Sequence, residues 1–198
     1  LLRGSGVGAT DDAAMRARLA NWADAIRLDW NLVGAFGYAP HRDNWAIKGV
    51  AWALRGRGNH LVTSAVEHTA VLNPCRFLGS FGFETTVVPV NGRGRVDPDD
   101  VARAIRPGTV LVSIMHANNE VGTIQPVGEI ARICRQREVL FHVDAAQSVG
   151  KIPVSVAEIG CDLLTVAGHK LHAPKGVGGL FIREGVPVEA LVHGAGHE

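Results

Sequence analysis

Val127-Gly-Glu-Ile130-Ala-Arg-Ile133-Cys134-Arg-Gln-Arg137-Glu-Val-Leu140-Phe-His-Val-Asp144 changes its pattern part-way along. Up to Arg137, the residues Val127, Ile130, Ile133 and Cys134 fall on one helical face. From Leu140 a short apolar run of strand length ends on a carboxylate. A helix leading into a strand implies a layered α/β fold. Outward from this unit the same alternation continues. Candidate strands are His60 to Thr63, Thr85 to Pro89, Val110 to Met115, Leu163 to Ala167 and Gly179 to Arg183. A helix over Pro98 to Ile105 follows Asp97, a residue suited to cap it. The expected fold is therefore α/β, a mostly parallel sheet flanked by helices. Right-handed crossovers bring the carboxyl ends of parallel strands to one rim, where ligands of such sheets bind.

Asp11 to Trp30 reads as an amphipathic helix, whereas Asn31 to Asp43 shows neither a clean period nor a clear turn. At the other end, His193-Gly-Ala-Gly-His-Glu198 offers no helix or strand to close the fold, which points to a chain ending mid-architecture.

Composition excludes several classes of function. With 46% hydrophobic residues over 198 positions, a sizeable core can form. Lys+Arg at 20 against Asp+Glu at 19 leaves +1, and basic residues occur only as scattered pairs such as Arg55 and Arg57, so nothing favours nucleic acid or an anionic membrane surface. The longest apolar runs are strand-sized, far below the roughly 20 residues of a membrane span. Cys75, Cys134 and Cys161 are odd in number and form no C-x-x-C pair, which argues against a disulfide framework or a zinc knuckle and suits a reducing cytosol. The opening Leu-Leu-Arg-Gly-Ser-Gly has no apolar signal core, so no export is indicated. Gly4-Ser-Gly6-Val-Gly8 follows no strand and reads as a flexible terminus rather than a nucleotide loop. His193 and His197 have zinc-like spacing, but the glycines between them disfavour a helix, and no metal is expected.

The chemistry-bearing residues follow strand ends. In Leu140-Phe-His-Val-Asp144-Ala-Ala-Gln147-Ser148, an acid at the ligand rim is followed by an amide; the alternative is that Asp144 caps the next element. In Leu163-Leu-Thr-Val-Ala167-Gly168-His169-Lys170-Leu-His-Ala-Pro174-Lys175-Gly176, a strand ends just before a His-Lys pair. Lys170 is either a solvated loop lysine or an amine whose pKa a cationic His169 pushes down, as an imine-forming lysine requires. Pyridoxal phosphate needs such a lysine together with a carboxylate that keeps its ring nitrogen protonated. Asp144 and Lys170 meet that demand from neighbouring strand ends. His68, just past another strand, could stack on a flat ring or move a proton, or be a structural histidine. Asn118 could contact a ring oxygen or a substrate carboxylate, or belong to an asparagine-rich turn.

His60-Leu-Val-Thr-Ser-Ala-Val-Glu-His68, Ser113-Ile-Met-His-Ala-Asn-Asn-Glu-Val-Gly122, His142-Val-Asp-Ala-Ala-Gln-Ser148, Ala167-Gly-His-Lys170 and Pro174-Lys-Gly176 together resemble the successive signatures of the cysteine desulfurases, within the class V aminotransferase group. They stand in family order over roughly residues 44 to 198. The resemblance implies the large domain of a fold-type I pyridoxal-phosphate-dependent transferase, incomplete at the C-terminus, with a divergent segment over residues 1–43 and the cofactor-binding part over 44–198. It implies that Lys170 carries pyridoxal 5'-phosphate as a Schiff base, that Asp144 pairs with the pyridine nitrogen, and that Gln147 reaches the phenolic oxygen. His68 would stack on the ring and assist proton transfer, Asn118 would touch ring or substrate, and His169 with the Ala167–Gly168 backbone would lie near the phosphate. The implied reaction takes sulfur from L-cysteine, leaving alanine and an enzyme persulfide. It further implies a homodimer in the cytoplasm and a sulfur acceptor such as an iron–sulfur scaffold.

This chain departs from the family at Gly37-Tyr-Ala-Pro40-His41, where a phosphate-cradling loop with a threonine is expected; proline supplies neither hydroxyl nor amide hydrogen. The persulfide cysteine and the carboxylate-binding arginine would lie past residue 198, and Cys134 and Cys161 read as buried structural residues. Two other readings stay open: a different class V reaction, such as transamination or a selenocysteine lyase step, and a truncated chain without turnover.

Overall fold

The structure, a computed structural model, describes residues 32–33, 40–174 and 176–192. The sequence-based helix over Asp11 to Trp30, the Gly4–Gly8 stretch, Gly37 to Ala39, Lys175, His193 and His197 lie outside the described residues.

Seven strands form one sheet: β1 (Leu32–Val33), β2 (His60–Ser64), β3 (Glu84–Val88), β4 (Thr109–Met115), β5 (Leu140–Asp144), β6 (Leu163–Ala167) and β7 (Gly178–Ile182). Their spatial order is β1-β7-β6-β5-β4-β2-β3. The run from β3 to β6 is parallel, while β7 lies antiparallel to β6 and β1 antiparallel to β7. Each expected strand is present within one residue of its expected limits.

The helices are α1 (Pro40–Ala53), α2 (Thr69–Gly79), α3 (Pro98–Ala104), α4 (Val127–Gln136) and the single turn α5 (Val156–Ile159). Asp97 caps α3, accepting from the Asp99 amide at 2.9 Å. On α4 the buried positions are Val127, Ile130, Ala131 and Cys134, so the expected face does cover the sheet. Two helices escape a reading by period. The stretch Asn31 to Asp43, which looks patternless, ends inside α1, because that helix buries the charged Arg42 and Asp43 ahead of Ala46, Ile47 and Val50. Proline at its first position costs no hydrogen bond there. In α2, Pro74 looks like a breaker, yet burial of Val71, Cys75 and Leu78 holds the helix through it.

Side-chain alternation divides the core in two. Leu61, Leu111, Leu163 and Leu180 face α1 and α2. Val62, Val112, Leu164 and Phe181 face α3, α4 and α5. All three cysteines are buried free thiols, and burial pushes each up to about 12. No described helix is long and apolar enough to cross a membrane.

Because β2, β4, β5 and β6 run parallel, Ser64, Met115, Asp144 and Ala167 finish at one rim. The segments that follow these ends carry nearly every residue singled out for chemistry.

Candidate active site at the strand ends

Beside that rim lies a cavity of about 240 Å³. Its walls come from α1 (Asp43), the β2–α2 junction (His68), the end of β4 and the turn after it (Met115, Ala117, Asn119), the end of β5 (Asp144, Gln147) and the end of β6 with the residues after it (Thr165, Ala167, His169, Lys170). Asp144 and Lys170 thus open onto one space.

Asp144 is 5% exposed. Its Oδ1 accepts from the Ala146 amide at 2.9 Å, so the residue also holds the turn that leads to Gln147. Burial raises the Asp144 carboxyl above the usual carboxylate range, against the opposing pull of the Ala146 amide and of His68. A positive charge brought beside this carboxyl would favour its ionised form and offset the effect of burial. Gln147 is fixed from behind, its Oε1 accepting from Lys151 Nζ at 2.6 Å.

His68 caps α2: the Ala70 amide donates to its Nδ1 at 3.1 Å. An accepting Nδ1 leaves the neutral ring's proton on Nε2. The ring is exposed and belongs both to this cavity and to a neighbouring cleft of about 770 Å³. His169 and Lys170 sit exposed on the 3₁₀ turn Gly168–Leu171 that directly follows β6. Gly168 opens that turn and does not line the cavity. A Cβ there would stand 2.5 Å from the Val177 carbonyl oxygen, so the absent side chain is what lets the turn pack down.

Asn118 differs from its neighbours. Its Nδ2 donates to the Val66 carbonyl at 3.1 Å, and its Oδ1 accepts from the Glu120 and Val121 amides at 2.9 Å each. The side chain is spent on the turn, and the adjacent Asn119 faces the cavity instead. The asparagine doublet in the sequence was the available signal; the turn's hydrogen bonds decide which member is free.

Asp43 and Thr165 complete the floor, and neither stands out in the sequence. Asp43 is buried, and desolvation first, with the nearby Asp144 charge second, raises its carboxyl well above normal. His142 Nε2 lies 3.7 Å from Asp43 Oδ1 and 2.9 Å from Thr165 Oγ1. Burial depresses His142 to about 3, so the ring is neutral. Among the described residues, no group of three His, Cys, Asp or Glu side chains is placed to hold a metal ion.

The sequence profile of the family described as Aminotransferase class-V matches residues 39–197. The chain belongs to the class-V aminotransferase family. This class-V chain is 54% identical over 156 residues to the cysteine desulfurase IscS of Dictyoglomus turgidum, an alignment covering 79% of the chain and 40% of the relative. With the IscS of Methanosarcina thermophila it shares 44% over 192 residues, covering 97% of the chain and 48% of the relative. It therefore spans less than half the length of these curated relatives. Among solved structures, a NifS-like protein superposes with a TM-score of 0.85 at 38% identity, over 98% of this chain and 54% of that one. SspA in complex with cysteine gives 0.84 at 36%, over 97% and 57%. DndA from Streptomyces lividans gives 0.80 at 35%, also over 97% and 57%.

Class-V aminotransferases work with pyridoxal phosphate, and the residues present fit that group. A buried carboxyl that a neighbouring positive charge would ionise suits a protonated ring nitrogen, an exposed lysine amine opens onto the same cavity, and an amide and two imidazoles surround the space.

Proposed function

We propose that this chain is the cofactor-holding part of a cysteine desulfurase, taking L-cysteine as substrate and passing its sulfur to an acceptor such as an iron–sulfur scaffold. The observation that carries the reading is the opening of the Asp144 carboxyl and the Lys170 amine onto one cavity of about 240 Å³. Residues 44–198 belong on this reading to the large domain, with α1 extending the fold back to Pro40. The working form is a cytoplasmic homodimer.

Pyridoxal phosphate, when bound, supplies an electron sink for charge developing on the substrate's α-carbon. Lys170 is the amine that attaches the cofactor. Asp144 keeps the ring nitrogen protonated, and the mutual attraction favours the ionised carboxylate that burial alone disfavours. Gln147, anchored by Lys151, presents its amide to the ring oxygen. His68, its ring set by the Ala70 amide, covers the cavity and moves a proton at Nε2. His169, with the Ala167 and Gly168 backbone, holds the phosphate end. Asn119 faces the cavity and takes the ring or substrate contact first expected of Asn118.

Mixing the chain with pyridoxal phosphate should produce a visible absorption band, and Lys170→Ala should abolish it. An alanine assay after adding cysteine then measures turnover. A chain that stays colourless with excess cofactor favours the reading as a truncated chain without turnover.

A further inference from the structure

Glu67 precedes His68 in the chain and is only 6% exposed, yet nothing in the chemistry above uses it. Its Oε1 accepts from Ser64 Oγ at 2.5 Å and from the Met115 amide at 2.9 Å. Its Oε2 is buried without a hydrogen-bond partner. The first bond closes the turn after β2; the second ties that turn to the end of β4. Asn118 makes a parallel tie, from its Nδ2 to the Val66 carbonyl. Two clasps therefore join the segment carrying His68 to the segment carrying Asn119, the two residues shared by the 240 Å³ cavity and the 770 Å³ cleft.

The surroundings of Glu67 favour its uncharged form. Burial, above all, pushes its carboxyl up to about 8, against the downward pull of the Ser64 and Met115 bonds. Among the described residues, ionisable groups that interact with it include Asp144 on β5, Asp43 on α1 and Cys75 on α2, all acids. Ionising Glu67 would add an anion to a group of acids in low dielectric.

We propose that Glu67 is a positioning residue: it clasps the end of β2 to the end of β4 and so holds the His68 imidazole over the cofactor cavity. The inference rests on the proposed function only in taking the cavity as the cofactor site.

The test is read on the cofactor-free chain labelled with ¹⁵N-histidine, using the His68 ring signals, assigned with His68→Gln. At neutral pH the ring should show a fixed Nε2–H tautomer. Glu67→Gln keeps an acceptor at Oε1, so it should retain the tautomer. Glu67→Ala should let the ring average between tautomers. The proposal is overturned if Glu67→Gln loses the fixed tautomer, or if Glu67→Ala folds and leaves the ring unchanged. Should Glu67→Ala not fold, the comparison of wild type with Glu67→Gln decides alone. Failure of Lys170→Ala to remove the cofactor band would sink the proposed function and leave this result standing.

Discussion

Arg183 Nε donates to Asp162 Oδ1 at 2.8 Å, joining the start of β6 to the chain just past β7. The other oxygen of Asp162 accepts from the Phe141 amide at 2.7 Å, so one carboxylate serves three strands. The two partners differ in exposure: the Arg183 side chain is 58% exposed and that of Asp162 12%. Asp162→Ala should therefore cost about 1–3 kcal/mol, because it leaves the buried Phe141 amide unpaired. Arg183→Ala should cost below about 1 kcal/mol, as for an exposed ion-pair member. Urea unfolding measures both, and equal losses would contradict the asymmetry.

His142 is fully buried between Ser113 Oγ at 2.8 Å and Thr165 Oγ1 at 2.9 Å. Its ring falls to about 3 in the fold from an ordinary 6.5. A depressed folded value means that the unfolded chain binds the proton first. The ring's contribution is then present above about pH 6.5 and is lost as pH falls through about 3. At ~1.4 kcal/mol per unit of difference, the loss amounts to several kcal/mol. His142→Gln should be less stable at pH 7 but show a flatter stability profile between pH 6.5 and 3, by denaturant titration at each pH. Parallel profiles would remove His142 as the acid trigger.

The asparagine doublet separates fold from site. Asn118→Ala deletes bonds to Val66, Glu120 and Val121 and should cost about 1–3 kcal/mol of stability. Asn119→Ala touches an exposed side chain and should change stability by less than about 0.5 kcal/mol while weakening cofactor binding. Thermal unfolding paired with cofactor titration checks this. A reversed order would return the ligand contact to Asn118.

Gly168→Ala places a methyl against the Val177 carbonyl and 3.2 Å from Ala173 Cβ. The cost should be about 1–3 kcal/mol, with displacement of the turn carrying His169 and Lys170. The expected result is a lower melting temperature together with slower attachment of cofactor to Lys170. Unchanged attachment would show that the turn tolerates the shift.

How much of this was legible beforehand depended on range. The strand limits, the Asp97 cap and the α4 face follow from periods and from a hydrogen bond two residues long, so residues close in sequence suffice to read them. The juxtaposition of Asp144 and Lys170 was also legible, since parallel strands must end at one rim. Helix α1 was not, because it buries Arg42 and Asp43 where a sequence pattern expects apolar residues.

The sequence by itself determined the α/β alternation, the residues at the strand ends and the family signatures, because each is encoded in side-chain order over a few positions. Only the tertiary structure decided that β7 turns antiparallel, that Asn119 rather than Asn118 faces the cavity, and that Glu67 is a buried clasp. Those outcomes depend on partners far away in the chain, with Val66 meeting Asn118 and Glu67 meeting Met115 across 52 and 48 positions. Burial, which shifts the ionisation of Glu67, Asp144 and His142, exists only once the sheet and its helices have closed around them.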